Sequence, residues 1–398
     1  MSDETKCILT NDEKSFLSLA QRFHLTSIYI LVALCAFLIG VLLFGHRELR
    51  ADNFKYLFKY IGKSPVLYES FYDGLEYSGG ENTAFGLYKG DVCLLDGNRL
   101  SLYGISGKTV FAEELPFGDA TADCDGQYLC VYSRGGNEMR LYNSFSEVFS
   151  KTFSYPILMI RTNAGGGFAV ATSERGYRSV VTVYNEAWIP VYTWKSADKY
   201  LFDLSQNDDG RYLSVACSGV EDGIPYAEFL FWDTEKGEPV VSRKISGQTP
   251  LGTRVFSGGS VLFITETTVF LYDRRGNLRG EFETGGNVRN LFSDGESVAV
   301  LSSDRAGDRF TLTVYDKDGV RTRPFVLSGR VKSVRFTDKR MVLLFDGHVE
   351  AYRCLSDGMA LLTDERKCSD GARDILPFDD GSILICYGSY TTLLTNIS

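Results

Sequence analysis

A short run of apolar residues that ends in an aromatic residue recurs along this chain. The clear copies are LSLY, MRLY, VTVY, FLFW, VFLY, LTVY and VEAY, which place the aromatic residue at Tyr103, Tyr142, Tyr184, Trp232, Tyr272, Tyr315 and Tyr352. A degenerate eighth copy, TTLLT, places Thr395 at the same point, and successive copies lie 37 to 48 residues apart. A period near 40 with strand signals alone is typical of propeller blades. The sequence therefore predicts an all-β, eight-bladed β-propeller of the WD-repeat or quinoprotein type.

Each copy follows a tight turn and a second apolar run, as in DGQYLCVYS (125–133) and GGSVLFIT (258–265). The Asp-Gly and Gly-Gly pairs supply the positive φ angles that tight hairpins require. The continuous apolar runs predict strands buried on both faces between blades, whereas the strands that end in the aromatic residue are expected to alternate. One blade thus comprises strands A, B, C and D, with the aromatic residue at the end of strand C.

The propeller is expected to span residues 63–398. Its eighth copy stops after strand C, while SPVLYESF (64–71) is an unassigned strand-like run. Pairing of 64–71 with the C-terminal blade would close the ring and remove the exposed sheet edges that an open repeat leaves.

A charge-free stretch of 21 residues, LTSIYILVALCAFLIGVLLFG (25–45), follows a short polar tail (1–24). At about 1.5 Å per helical residue, this length spans a hydrocarbon core of about 30 Å. The stretch ends without a small-residue cleavage site. We therefore expect a retained transmembrane helix over 25–45, in a single-pass protein of the cell membrane.

A second helix is predicted at 51–62, because Phe54, Leu57, Phe58 and Ile61 have helical spacing. It either lies in the membrane interface or packs as a cap on the following domain. The orientation is also open at this point. Basic residues after the span favour a cytoplasmic C-terminal domain by count, but the same lysines could contact lipid headgroups.

Composition excludes several classes of function. The net charge of −9 and the lack of a Lys/Arg block argue against nucleic acid as a partner. Only three histidines occur, two of them beside the apolar stretch, so few His-dependent catalytic or metal sites are possible. We expect no cofactor, no metal and no enzymatic activity. The nine cysteines are scattered singly, mostly in strand-like runs, which favours buried thiols over the alternative of disulfides.

Three B–C loops are expected to be long, at 172–180, 217–228 and 302–310, in blades three, four and six. These loops and the connection 195–200 emerge on the same face of a propeller. Their mixture of aromatic and charged residues is typical of protein interfaces, although a solvated loop surface is the alternative. The predicted partner-binding residues are Arg175, Tyr177, Arg178, Trp194, Asp198, Tyr200, Glu221, Asp222, Tyr226, Arg305 and Arg309.

The stretch ATSERGYRSVVTVYNEAWIPVYTWKSADKYLFDLSQNDDGRYLSVA (171–216) resembles a bacterial family of unknown function, made of single-span, membrane-anchored propellers found mainly in Gram-positive anaerobes. The resemblance implies a propeller outside the cell and no established activity, cofactor or catalytic residue. The motif positions that it carries over are Gly176, Tyr177, Arg178, Ser179, Ser196, Ala197, Asp198 and Tyr200.

The sequence therefore favours a non-enzymatic protein-binding or scaffold module at the cell envelope. The alternative is an extracytoplasmic sensor that binds a small ligand, such as a sugar or cell-wall fragment, in the central channel. A third class, an enzyme, would need acids that converge on the propeller axis, for which the candidates are Asp123, Asp203, Asp294 and Asp374.

Overall fold

The computed structural model describes residues 23–37, 39, 71, 74–80, 83–104, 106–124, 126–293, 296–304, 306–307, 309–337, 340–355 and 357–395. The chain divides into two compact units, Met1–Ser64 and Pro65–Ser398.

In the first unit, residues 23–37 and 39 are helical (α1) and carry exposed apolar side chains such as Tyr29 and Ile30. Among the described residues, no helix combines the length and the apolar character needed to cross a bilayer. The predicted membrane segment 25–45 is described only in part. The predicted helix 51–62 lies outside the described residues.

In the second unit, the described strands form eight antiparallel sheets in chain order. Blade one contains β1 (Ala84–Tyr88), β2 (Asp91–Asp96), β3 (Arg99–Tyr103) and β4 (Thr109–Glu114). Blade two contains β5 (Ala120–Asp123), β6 (Leu129–Ser133), β7 (Glu138–Tyr142) and β8 (Glu147–Thr152). Blade three contains β9 (Ile157–Thr162), β10 (Phe168–Thr172), β11 (Ser179–Tyr184) and β12 (Pro190–Ser196). Blade four contains β13 (Tyr200–Gln206), β14 (Tyr212–Glu221), β15 (Ile224–Asp233) and β16 (Pro239–Ser246).

The remaining four blades repeat this order with two irregular outer edges. Blade five contains β17 (Pro250–Val255), β18 (Val261–Thr265), β19 (Thr268–Tyr272) and β20 (Leu278–Glu283). Blade six contains β21 (Asn287–Ser293), β22 (Ser297–Ser303), β23 (Phe310–Asp316), β24 (Gly319–Val320) and β25 (Phe325–Val326). Blade seven contains β26 (Ser333–Phe336), β27 (Met341–Leu344), β28 (His348–Cys354) and β29 (Ala360–Lys367). Blade eight contains β30 (Asp374–Pro377), β31 (Ile383–Cys386) and β32 (Thr391–Leu394).

The all-β, eight-bladed propeller predicted from the repeat is confirmed. Each repeated aromatic residue lies at or near the end of the third strand of its blade, as Tyr142 does in β7 and Tyr272 in β19. The second strands β6, β10, β18, β22 and β31, which follow Asp-Gly or Gly-Gly turns, are buried along their whole length. The longer β14 is buried from Leu213 to Cys217 and is exposed at its far end. Burial on both faces follows because each such strand lies between two neighbouring sheets.

The third strands do not alternate as expected. In β19 all five residues are buried, whereas fourth strands such as β20 and β8 alternate between exposed and half-buried residues. The physical reason is position in the blade. The fourth strand forms the outer edge of the blade, so the third strand lies inside it. The two faces of β19 therefore pack on the neighbouring blades, with Phe270 against blade four and Leu271 against blade six.

The hydrophobic core consists of eight clusters, and each joins two neighbouring blades. For example, one cluster combines Leu95 of blade one with Leu129 of blade two, and another combines Phe229 of blade four with Phe263 of blade five. The eighth cluster joins blade eight to blade one, because Leu376 and Leu384 pack there with Val92. The core is therefore continuous around the ring.

The segment 74–77 pairs with the last strand of blade eight. Glu76 forms an antiparallel bridge with Tyr390, the Thr391 N–H donates to the Leu75 carbonyl at 3.0 Å, and the Tyr77 N–H donates to the Ser389 carbonyl at 3.0 Å. Residues 64–70 lie outside the described residues, so the pairing predicted for 64–71 stays a prediction. Phe71, the last residue of that run, is fully buried against Phe378 of blade eight.

Candidate functional site

The B–C connection of blade four is a regular β-hairpin, not the loop expected over 217–228. Strands β14 and β15 are ten residues long and remain paired up to Glu221 and Ile224. Asp222 and Gly223 form the turn with φ angles of 51° and 79°. An Asp-Gly pair with two positive φ angles is the preferred sequence of a tight two-residue hairpin turn. The turn chemistry therefore extends the strands where a loop was predicted.

The tip of this hairpin carries exposed apolar side chains. Val220 is 71% exposed and Ile224 is 51% exposed, on either side of the acidic turn. At the base, Tyr226 is buried beneath Lys244, whose Nζ lies 3.9 Å from the ring centroid. Lys244 also donates to Glu221 at 2.6 Å, and this hydrogen bond raises the pKa of Lys244. The charged base thus supports an apolar tip.

The blade-three loop between β10 and β11 places two aromatic rings beside cations. Tyr177 is 41% exposed, and Lys195 Nζ lies 5.1 Å from its ring centroid. Lys195 donates to Glu174 at 2.9 Å, a hydrogen bond that raises the pKa of Lys195. The Arg178 guanidinium lies 4.9 Å from the centroid of the exposed Tyr200 ring. These cation–π contacts hold both rings on the propeller face from which the B–C loops emerge.

The connection from blade three to blade four joins this loop to the hairpin. The Ser196 hydroxyl donates to Asp198 at 2.8 Å, and the Ser179 hydroxyl donates to the Lys199 carbonyl at 2.9 Å. Lys199 Nζ in turn donates to Glu228 of β15 at 3.0 Å. We call residues 174–178, 195–200 and 219–226 the blade-three/four surface.

Seven of the predicted residues are exposed on the blade-three/four surface: Arg175, Tyr177, Arg178, Asp198, Tyr200, Glu221 and Asp222. Trp194 is half-buried, with its ring centroid 5.7 Å from that of Trp232, and Tyr226 is buried. Arg309 lies in the B–C loop of blade six, two blades further round the ring. Arg305 lies outside the described residues. Partner binding by these residues stays a prediction.

Sequence reasoning missed Val220 and Ile224. The signal was present in GVEDGIP (219–225), where two β-branched apolar residues flank a turn. Such residues are favoured in strands, so the run indicates a hairpin with an apolar tip.

The first strands of the blades line a central channel. A cavity of about 640 Å³ adjoins a second of about 450 Å³, and Phe85, Leu291 and Arg335 line both. Arg161 pairs with Asp203 across strands β9 and β13, with NH2 3.3 Å from Oδ1. Asp203 also accepts from the Thr253 N–H at 3.1 Å. Burial raises the pKa of Asp203, while Arg161 acts in the opposite direction.

Three of the four candidate acids lie on the channel. Asp374 accepts from Arg335 and, at 2.6 Å, from the Ser333 hydroxyl, and Asp123 accepts from the Thr162 N–H at 2.7 Å. Each of the three described acids is thus held by a donor. Asp294 lies outside the described residues.

Within the part of the chain that the structure describes, no three His, Cys, Asp or Glu side chains are grouped to hold a metal ion. The eight described cysteines are free thiols. Cys7 lies outside the described residues.

A profile of a family of unknown function (DUF5711) matches residues 72–360. No curated protein matches the chain. The C-terminal WD40 domain of Sif2 has a TM-score of 0.57 and 14% identity, over 82% of this chain and 99% of that chain. Sqt1 of Chaetomium thermophilum, bound to the N-terminus of ribosomal protein L10, has a TM-score of 0.53 and 16% identity, over 81% of this chain and 100% of that chain. BamB from Moraxella catarrhalis has a TM-score of 0.51 and 11% identity, over 81% of this chain and 100% of that chain. At these identities the likeness shows a shared propeller fold.

Proposed function

Since this chain belongs to the DUF5711 family of unknown function, we propose that it is a membrane-tethered, non-enzymatic propeller that captures a protein partner through the blade-three/four surface. The proposal assigns it to the bacterial cell envelope, with the propeller outside the cell. Its mechanism is presentation of a preformed surface by a rigid ring.

The observation that carries the proposal is the exposed apolar tip of the blade-four hairpin. Val220 and Ile224 are exposed at the end of the hairpin, and the exposed Tyr200 pairs with Ser218 of β14, two residues before Val220. Tyr177 is exposed on the blade-three loop. Exposed apolar and aromatic side chains with charged residues around them are the composition of interface centres and rims. The ion pairs of Lys195 and Lys244 fix the surrounding side chains, which lowers the entropy lost on binding.

The shared fold supports a peptide or protein as the ligand. Sqt1, a propeller of similar fold, is bound to the N-terminus of ribosomal protein L10. A propeller ring is rigid because each blade packs on two neighbours, and this suits it to present loops without rearrangement.

The tether is supported by the charge-free stretch 25–45 and by the exposed apolar side chains of α1. The outside location is supported by the family resemblance of 171–216. Protease added to intact cells should remove the propeller and leave a short membrane-protected fragment that contains 25–45. Protection of the propeller until the cells are lysed would contradict the outside location.

Partner capture should be compared between variants of the full chain, isolated from detergent-solubilised membranes. The double variants Tyr177→Ala/Arg178→Ala and Val220→Ser/Ile224→Ser should each reduce capture by roughly ten-fold or more, the size expected for interface anchors. Thermal stability should change little, because these side chains are exposed.

The matched control is Phe145→Ala/Arg274→Ala, an aromatic residue and an arginine in C–D turns on the opposite face. Capture by this control should equal that of the wild type. Equal loss in the control and in the two blade-three/four variants would refute the proposed surface. A large loss of stability in Tyr177→Ala/Arg178→Ala would assign those residues to the core instead.

The second candidate function is a sensor that binds a small ligand, such as a sugar or cell-wall fragment, in the channel. The polar lining of the channel favours it, since Arg161, Asp203, Arg335 and Asp374 all face a cavity of a size that suits small molecules.

A further inference from the structure

The channel is basic in a protein that is acidic overall. The chain carries a net charge of −9, yet the described lining of the two channel cavities contributes more basic than acidic side chains. The basic ones are Arg161, Arg254, Arg289, Lys332, Arg335 and Arg373, and the acidic ones are Asp123, Asp203 and Asp374.

Several of these charges are compensated locally. Arg161 pairs with Asp203, Arg335 pairs with Asp374, and Lys332 donates to Asp346 at 2.7 Å. These pairs leave an excess of arginine over carboxylate in the channel.

Arg254, Arg289 and Arg373 carry that excess. Arg373 donates to the Gly80 carbonyl, whereas Arg254 and Arg289 lie on the first strands of neighbouring blades five and six. Neither forms an ion pair with a carboxylate among the described residues. Arg289 Nε donates to the neutral Ser303 hydroxyl at 2.6 Å. Arg254 Nε is buried and has no hydrogen-bond partner among the described residues.

A buried guanidinium N–H without an acceptor is energetically costly. An anion in the channel would accept from Arg254 and neutralise Arg289, and charge-assisted hydrogen bonds to phosphate or carboxylate are among the strong ones. The geometry also gives access. Arg289 and Asn290 line both the 640 Å³ cavity and a wider one of about 930 Å³, which Arg330 also lines.

We propose that the channel binds a small anionic ligand bearing phosphate or carboxylate groups, which Arg254 and Arg289 hold from adjacent blades. The proposal rests on the second candidate function and adds to it the charge of the ligand. It is independent of the blade-three/four surface.

The test is isothermal titration of the full chain in mild detergent with three probes: inorganic pyrophosphate, citrate and the neutral sugar maltose. We expect saturable binding of pyrophosphate or citrate that weakens as salt is raised. Arg254→Gln and Arg289→Gln should each raise the Kd by roughly ten-fold or more, the scale of one charge-assisted hydrogen bond. Arg254→Lys, which keeps the charge, should bind better than Arg254→Gln.

The matched control is Arg353→Gln, which removes the same charge from an exposed position on β28; its Kd should equal that of the wild type. Binding of pyrophosphate alone would assign the ligand to phosphates, and binding of citrate alone would assign it to carboxylates. Failure of both anions, or equal affinity in the channel variants and the wild type, overturns the inference. Binding of maltose without either anion would overturn it and still leave the channel-ligand function standing.

Discussion

Replacing Phe71 with alanine should destabilise the whole ring. The side chain is fully buried in the cluster that joins blade eight to blade one, with its ring centroid 6.2 Å from that of Phe378. The closing segment 74–77 begins three residues later, so loss of this anchor also weakens the pairing with the last strand. The blade-eight/one junction should therefore be the first to open.

The expected loss follows from the burial. Truncation of a buried Phe to Ala costs about 3 to 5 kcal/mol, because apolar contacts are lost and a cavity remains. With a urea m-value of about 3 to 4 kcal/mol/M, as suits a domain of this size, the midpoint of unfolding should fall by roughly 1 M.

The natural tryptophans make the assay selective. Trp188, Trp194 and Trp232 all lie in blades three and four, halfway round the ring from the junction. Tryptophan fluorescence during urea unfolding thus reports on a region that Phe71 does not contact. If the ring unfolds cooperatively, this distant signal should show the full shift.

The control is Phe145→Ala, in which the truncated ring is 39% exposed and the cost should be within about 1 kcal/mol. An unchanged tryptophan transition in Phe71→Ala would refute the reasoning, since blades three and four would then be stable without closure. An equal shift in both variants would show that the effect does not depend on burial.

Three further predictions concern acid stability, thiol reactivity and the hairpin. Two hydrogen bonds from Arg211 lower the pKa of Asp233. This carboxylate therefore stabilises the fold at pH values above its unfolded pKa of about 4, and the stabilisation is lost as the pH falls. The difference in urea midpoint between the wild type and Asp233→Asn should be largest near pH 7 and shrink in acid. Burial raises the pKa of Cys217 to about 12, so iodoacetamide should modify it, by mass spectrometry, only after unfolding. A Cβ at Gly219 would lie 2.3 Å from the Tyr226 hydroxyl; Gly219→Ala should cost about 1 to 3 kcal/mol in urea unfolding and reduce partner capture.

Local signals made the blades predictable. Turn pairs such as Asp-Gly before Gln127 and Gly-Gly before Phe168 mark where each second strand begins, and the repeated aromatic residue marks where each third strand ends. Each signal depends on residues within about ten positions of one another. The number of copies of the repeat therefore predicts the number of blades. Val220 and Ile224 could also have been found in this way, because they flank a turn in a strand-like run.

The repeat pattern predicted that the ring closes, but the individual contacts between distant residues could not be predicted from the sequence. Tyr77 meets Ser389 through a hydrogen bond that joins residues more than three hundred positions apart, and no local pattern specifies that partner. The same holds for the channel: Arg254 appears in LGTRVF as an ordinary strand residue, and its lack of a partner among the described residues emerges only when the first strands surround one axis.

The most direct test of the central claim is site-specific photo-crosslinking in living cells. A photoreactive residue at Ile224 lies on the blade-four hairpin, and one at Asp318 lies in a C–D turn on the opposite face. We predict a discrete protein adduct from position 224 and none from position 318. Adducts from position 318 alone, or of equal yield from both positions, would contradict partner capture through the blade-three/four surface.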